Sequence, residues 1–385
     1  MEHRKILVIG MFDSIHLARW LSQFKDREIE FVLFPSKKFK YINFELSELF
    51  QSENVANFSV AKPYFYFKYL GFVDFILCFL FRKLKIDIKR LLLRYCLSAN
   101  SFKYVHAIEI QGAGYLYASL PKTILDRNTL ILTNYGSDII FYRNFPDHRV
   151  KISSVLSIAK LYSAECQRDY EIALSMGFVG KFLPCIPNAG GFTDHTFNLN
   201  VIPSEERNLI IAKCYGGVFG LGELIIEALS TFLVSKTHIQ VIIHSITDDL
   251  FEKSNKLLED FPNQVVVYNT RKKIPRNELL KHISNAKIYI GASCSDGIST
   301  SFLEAICLGA YPIQTNSSCA NEWIARGFVG TLVSLESESI LAALNGAYFD
   351  KNLETVRREN LKNAKKYLSF ELVKSQAIKF YETNH

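Results

Sequence analysis

The sequence predicts an α/β protein made of two successive doubly wound domains, and three observations carry that prediction. Short apolar runs alternate with helix-patterned segments from Lys5 onward. The same alternation begins again after the turn Asn188-Ala189-Gly190-Gly191. The chain has 385 residues, more than a single hydrophobic core usually fills.

In the first half, KILVIG at 5 to 10 is an apolar run that ends on Gly10. A helical pattern follows through Ile15, Ala18, Trp20 and Leu21, and then EFVLFP at 30 to 35. Strand, helix and strand with short connections make a βαβ unit of a parallel sheet. YVHAIEI and TLILTN continue as strands, Ser153 to Lys160 reads as another, Ala164 to Met176 as a helix, and KFLPCIPN as the strand leading out. In the second half, 208 to 213, 239 to 244, 264 to 268, 287 to 291 and 311 to 314 read as strands. Helices are expected between them at 222 to 234, 249 to 260, 276 to 284 and 299 to 308, with a final helix at Glu371 to Tyr381.

Hydrophobic residues at 49% and charged residues at 22% describe a globular chain with an ample core. The net charge of +7 is modest and spread along the chain; it suits nucleotide phosphates or an anionic membrane surface, and a nucleic-acid partner is not expected. Eight cysteines include no C-x-x-C pair and no His placed to complete a zinc site, so they are read as reduced, mostly buried thiols of a cytosolic protein. The N-terminus enters a strand pattern at once and is not read as a signal peptide.

Pro63 to Phe81 is long enough to span a bilayer, but Lys68 and Asp74 interrupt it and Gly71 splits it. Beyond it, Leu77, Leu80, Leu84, Ile88, Leu91 and Tyr95 recur at helical spacing, with Arg82, Lys83, Lys89, Arg90 and Arg94 mainly off that stripe. Such a helix either lies on an anionic membrane or packs into a domain core with its cations solvated.

Function is written most clearly in DGISTSFLEAICLGAYPIQ, which runs from Asp296. Two carboxylates, Asp296 and Glu304, flank a Gly-Ile-Ser-Thr-Ser turn that opens a helix. Backbone N–H groups at a helix start suit a phosphate, and a carboxylate further in can accept two sugar hydroxyls. The pattern resembles the Glu-x7-Glu signature of family 4 retaining glycosyltransferases, with Asp at the first position. HAIEIQGAGY (His106 to Tyr115), LTNYGSDI (Leu132 to Ile139), SAECQRDYEIALSMGF (Ser163 to Phe178), PNAGG (Pro187 to Gly191) and the run Gly309 to Gln314 match the same family in order.

That resemblance implies the GT-B fold, two Rossmann-like domains facing across a cleft. Residues 1-190 would form the acceptor side, 191-367 the nucleotide-sugar side, and 368-385 a helix returning to the first domain. It implies that Glu304 binds the ribose hydroxyls and that Asp296 meets the transferred sugar. Ser299, Thr300 and Ser301, with Ile298, would offer N–H groups to the diphosphate, or simply cap the helix. Lys213, at a strand end, would neutralise the leaving diphosphate. A second cation, absent at Phe219-Gly220, is expected from Arg271 or Lys272. Gly216 and Gly217 allow close backbone approach to a ligand or form a plain turn.

On the other domain, Gly10, Asp13 and His16 lie at the carboxyl end of the first strand, where such sheets bind ligands. Asp13 and His16 are candidates to meet the acceptor, and His16 equally a packed helix residue. Asp138 either positions a sugar or caps a helix. The absence of any Asp-x-Asp suggests metal-independent transfer. The implied substrate is a nucleotide sugar, most commonly UDP-linked, with no cofactor, and the acceptor a glycan or lipid-linked sugar of capsule, lipopolysaccharide or similar polysaccharide. Rival readings are an epimerase or hydrolase on the same fold, which would release nucleotide without an acceptor, and a non-catalytic binding protein. A nicotinamide oxidoreductase is disfavoured because no G-x-G-x-x-G follows the first strand.

Overall fold

The computed structural model describes residues 4–62, 87–199 and 202–382. They form two compact units, Met1–Gly190 with Lys374–His385, and Gly191–Val373.

The first unit is built on a parallel sheet of β1 (Arg4–Gly10), β2 (Ile29–Pro35), β3 (Asn57–Val60), β4 (Tyr104–Ile108), β5 (Leu130–Thr133), β6 (Leu161–Ser163) and β7 (Lys181–Phe182). Their order is β3-β2-β1-β4-β5-β6-β7, which reverses between β1 and β4. Its longer helices are α1 (Ile15–Ser22), α2 (Phe44–Gln51), α3 (Ile88–Ala99), α4 (Pro146–Ile158) and α5 (Gln167–Ser175).

Two sequence expectations fail here. Ser153 to Lys160 is not a strand: it is the end of α4, where Ile152, Val155 and Leu156 bury at helical spacing after a proline that starts the helix. The strand begins only at Leu161. KFLPCIPN is a strand only at Lys181 and Phe182; Leu183 N–H still bonds the Tyr162 carbonyl at 2.8 Å, and Pro184, which has no N–H, cannot extend the ladder.

The stripe expected to define α3 also turns out differently. The helix, opened by Asp87 accepting from the N–H groups of Lys89 and Arg90, buries Leu93, Cys96 and Leu97. Leu91 and Tyr95 are exposed, and so are Arg90 and Arg94. Of the stripe's described residues, Leu91 and Tyr95 therefore stand outside this unit's core. Lys89 is half-buried and donates from Nζ to the Ser36 carbonyl at 2.9 Å. Pro63 to Phe81 and Leu84 lie outside the described residues.

The second unit repeats the architecture with β8 (Leu209–Lys213), β9 (Gln240–Ile246), β10 (Val265–Asn269), β11 (Ala286–Gly291), β12 (Tyr311–Thr315) and β13 (Thr331–Val333). The strands are parallel in the order β10-β9-β8-β11-β12-β13. Its longer helices are α6 (Gly222–Leu233), α7 (Phe251–Asp260), α8 (Arg276–Asn285), α9 (Thr300–Leu308), α10 (Ser337–Phe349) and α11 (Leu353–Leu368). Alternation sorts the side chains of the sheet into two cores. Ile210, Ala212, Val241 and Ile243 pack with α6 and α10, while Leu209, Ile211, Ile242 and Tyr289 pack with α8 and α9.

The last helix, α12 (Phe370–Glu382), belongs to the first unit from Lys374 onward. Lys374 bonds Asp26 at 2.8 Å, and Tyr381 is fully buried. Its hydroxyl accepts from Trp20 Nε1 at 3.1 Å and lies 2.6 Å from His106 Nδ1, while His106 Nε2 lies 2.7 Å from Thr133 Oγ1. A consistent chain has Tyr381 donating to Nδ1 and Nε2–H donating to Thr133, which makes the ring neutral. Burial lowers the His106 pKa to about 3, in accord.

Seven cysteines among the described residues form no disulfide, and five of them are buried. No helix among the described residues is long and apolar enough to cross a membrane.

Candidate nucleotide site

The carboxyl edge of the second sheet gathers the residues that the sequence singled out. Lys213 ends β8, in register with His244 on β9 and Gly291 on β11. Because Leu209, Ile211 and Ile242 face α8 and α9, alternation turns Lys213 and His244 to the same side. The loop Ala292 to Ser299 then runs from β11 into α9. Hydrogen bonds hold it in place: Thr315 Oγ1 donates to the Ser293 carbonyl at 2.9 Å and accepts from Ser293 N–H at 3.0 Å. The β8–α6 loop is laced to it through Cys294 N–H to the Phe219 carbonyl at 2.9 Å and Leu221 N–H to the Ala292 carbonyl at 3.2 Å.

Ser299 is the N-cap of α9 and accepts from Phe302 N–H at 3.4 Å. The first-turn N–H groups of Thr300 and Ser301 have no acceptor within the helix. At the far end of α9, the buried guanidinium of Arg207 donates to the carbonyls of Gly309 at 2.8 Å and Ala286 at 3.0 Å. A cation on a helix C-terminus satisfies orphan carbonyls and complements the dipole, so α9 is anchored from behind.

Glu304, in the second turn of α9, is 1% exposed. Arg276, the first residue of α8, donates from its guanidinium to Glu304 Oε1. The residue expected to bind the ribose hydroxyls thus has a cationic partner on the neighbouring helix. Burying a carboxylate requires such compensation, and no sequence spacing links positions 276 and 304.

Asp296 is half-buried, and its Oδ1 accepts from Gly297 N–H at 2.9 Å. It stands near Tyr215, whose phenol burial pushes well up, with the Asp296 charge adding to the effect. The Lys213 amine lies over the Tyr215 ring at 5.0 Å. Lys213, Tyr215 and Asp296 thus form a succession along this edge.

Arg271 and Lys272, expected to supply the second phosphate-binding cation, are exposed and lie over the rings of Phe251 and Tyr268, at 5.2 Å and 5.5 Å. Gly216 and Gly217 lie against an exposed carboxylate: Gly217 N–H donates to Asp249 Oδ2 at 3.0 Å, and a Cβ on Gly216 would fall 2.1 Å from that oxygen. Gly220 has the stricter requirement, since its Cβ would meet the Tyr215 carbonyl oxygen at 2.0 Å. Gly220→Ala is expected to displace the loop laced to Ser293, at about 2 kcal/mol or more of stability. A melting temperature within a degree of the parent would contradict this.

His244 was missed from sequence. It is 3% exposed, with Nδ1 at 2.9 Å from Ser245 Oγ, and Ser245 has φ of 64°. Burial, with Lys213 and Arg276 nearby, lowers its pKa to about 3. Below about pH 6.5 an unfolded histidine gains a proton that His244 and His106 refuse until about pH 3. Their contribution to stability is therefore complete above pH 6.5 and is lost progressively as the pH falls towards 3. An NMR titration is expected to find both rings neutral at about pH 5; a midpoint near 6.5 for either would contradict their burial.

In the first unit, the residues of the carboxyl edge do different work from that expected. Gly10 is buried, and a Cβ there would press on Leu17 at 3.2 Å, so its smallness serves packing. Asp13 pairs with Lys37 at 3.4 Å. His16 is half-buried in the first turn of α1, with its ring against Tyr135 at a centroid distance of 5.5 Å. Asp138 is not an N-cap. Its two oxygens accept from Tyr135 N–H at 2.8 Å and Ile110 N–H at 3.0 Å, tying the turn after β5 to the turn after β4. Burial pushes its pKa up to about 8, against those two bonds and with the Glu109 and Asp169 charges assisting.

Glu109 was also missed. It has φ of 84° and accepts from Gly112 and Ala113 N–H groups, each at 2.8 Å, closing a single π turn at Ile110–Gly114. A Cβ on Gly112 would fall 2.2 Å from its carboxylate, which explains the glycine in EIQGAG.

The two parallel, doubly wound units have the GT-B fold, which the similar solved structures share. No family model and no curated protein matches the sequence. Among solved structures, the chain is similar to HepE of Anabaena in complex with UDP and glucose, at 14% identity and a TM-score of 0.69, covering 98% of this chain and 99% of that one. It is similar to a glycosyltransferase from Rickettsia africae, at 13% identity and a TM-score of 0.65, covering 99% and 98%. The trehalose 6-phosphate synthase of Burkholderia multivorans matches at 10% identity and a TM-score of 0.69, covering 98% of each.

Proposed function

We propose that this protein is a retaining, metal-independent glycosyltransferase that moves a sugar from a nucleotide donor to a glycan or lipid-linked acceptor in surface polysaccharide synthesis. One observation carries the reading: a buried carboxylate, Glu304, stands in the second turn of a helix that opens at the carboxyl edge of the sheet, on the side to which Lys213 points. In this reading Glu304 accepts the two ribose hydroxyls. The start of α9 at Ser299, Thr300 and Ser301 binds the diphosphate, and Lys213 neutralises it as it leaves. Asp296 meets the transferred sugar. UDP is the favoured nucleotide, since HepE of the same fold is solved with UDP and glucose.

Retention would follow from attack on the face the diphosphate leaves, with a departing phosphate oxygen taking the acceptor's proton. The missing Asp-x-Asp supports a mechanism in which Lys213 and a helix N-terminus meet the leaving-group charge. In the first unit, His16 and Asp13 are the residues proposed to meet the acceptor, with Asp138 holding their surroundings in shape.

Thermal-shift screening against nucleotides and nucleotide sugars tests the binding step: UDP or a UDP-sugar at 100 times its dissociation constant should stabilise the protein by about 2.7 kcal/mol. No shift with any nucleotide would sink the reading. Donor turnover should be slow without acceptor; fast release of free nucleotide would identify a hydrolase or epimerase instead.

Membrane association through α3 is part of the proposal, supported by the exposed Leu91 and Tyr95 beside exposed Arg90 and Arg94. Arg90→Glu with Arg94→Glu is expected to abolish sedimentation with phosphatidylserine vesicles. Unchanged sedimentation, or none by the parent protein, would remove α3 from the account.

A further inference from the structure

We propose that Arg276 is the second diphosphate-binding cation of this site, held on Glu304 until a nucleotide arrives. The inference rests on the nucleotide-sugar reading above and adds to it a residue and an order of events. A nucleoside diphosphate brings two phosphoryl groups, and Lys213 is a single charge at the end of β8. The two other cations considered from sequence, Arg271 and Lys272, are stacked on Phe251 and Tyr268.

Arg276 is differently placed. It opens α8 on the face of the sheet to which Lys213 and His244 also turn, and its side chain is 36% exposed while its carboxylate partner is 2% exposed. One end of the pair can therefore move into solvent or onto a ligand, while the other is fixed by the packing of α9.

His244 supplies a second, independent sign of an anion at this edge. Its Nε2 is buried and has no partner among the described residues. In the tautomer whose Nδ1 accepts from Ser245, Nε2–H is a donor without an acceptor. A buried donor in that condition is costly unless a ligand oxygen meets it.

The arrangement couples the two halves of a nucleotide. Ribose hydroxyls that take over Glu304 Oε1 compete with Arg276 for it, and a ligand that also brings phosphate offers the guanidinium a second anion at this edge. A nucleoside alone competes for the carboxylate and brings no anion in exchange. Discrimination between a nucleoside diphosphate and its nucleoside should therefore exceed what Lys213 alone provides.

Titrating uridine and UDP into the full-length protein tests this, with Arg276→Gln and Arg276→Lys compared with the parent. Arg276→Gln is expected to weaken UDP about tenfold or more while leaving uridine unchanged or slightly tighter, and Arg276→Lys to keep part of the discrimination. If UDP and uridine weaken by the same factor, Arg276 merely props Glu304 and the proposal fails. It fails equally if Arg276→Gln binds UDP as the parent does. Should Arg276→Gln not fold, the Arg276→Lys ratio decides, and a ratio equal to that of the parent or a loss common to both ligands counts against the proposal. A parent protein that binds no nucleoside diphosphate would instead overturn the function on which the inference rests.

Discussion

Replacing Glu304 by alanine is expected to weaken UDP binding by about a hundredfold or more, the largest loss of any single change in the second unit. The carboxylate is proposed to accept two charge-assisted hydrogen bonds from the ribose, each contributing about 1.5–3 kcal/mol. The same change strips Arg276 of its partner on Glu304. Breaking a fully buried ion pair costs about 3–5 kcal/mol, but the Arg276 side chain reaches solvent, so about 1–3 kcal/mol of stability is expected to go. The two effects separate experimentally. A Glu304→Ala protein that melts several degrees lower yet binds UDP normally would assign Glu304 a structural role only. One that melts normally and has lost UDP would confirm the ligand role.

Removing the chain from Lys374 onward is expected to unfold the first unit. Tyr381 and Phe380 are both fully buried, and truncating an aromatic core residue costs about 3–5 kcal/mol. Two such losses approach the whole stability of a domain, about 5–15 kcal/mol. The deletion would also leave Trp20 Nε1 and His106 Nδ1 facing a void, because both bond the Tyr381 hydroxyl. A milder version isolates the polar part: Tyr381→Phe keeps the ring and should cost about 1–3 kcal/mol. Calorimetry of the deletion should find the transition of the first unit absent. A shortened chain that keeps both transitions would show that α12 is an accessory to this unit.

Most strands of the two sheets were legible because each of these is a short apolar run bounded by turn residues. KILVIG, EFVLFP and NLIIAK fall within a residue or two of β1, β2 and β8. β3 and β13 were not, because NFSV and TLV are too short and too polar to stand out. α4 was misread over half its length, since Ser153 to Lys160 mixes serines with β-branched residues and only its buried face declares a helix.

At the site, the turn and helix carrying Asp296, Ser299 and Glu304 were readable because they lie close together in the chain. Arg276 and His244 were not. They reach that edge from α8 and β9, and only the strand order brings those elements beside α9. Glu109 was inside a quoted motif, yet its role depends on a backbone conformation, φ of 84°, that no residue type announces. The glycines Gly216 and Gly217 illustrate the converse: they suggested close approach to a ligand or a plain turn, and their N–H groups bond Thr247 and Asp249 of the same chain.

The measurement that bears most directly on this account is a crystal structure of the protein with UDP. The ribose hydroxyls should lie within hydrogen-bond distance of the Glu304 carboxylate, the diphosphate at the start of α9 near Lys213, and the Arg276 guanidinium on a phosphate oxygen. A nucleotide bound elsewhere, with Arg276 still seated on Glu304, would contradict it.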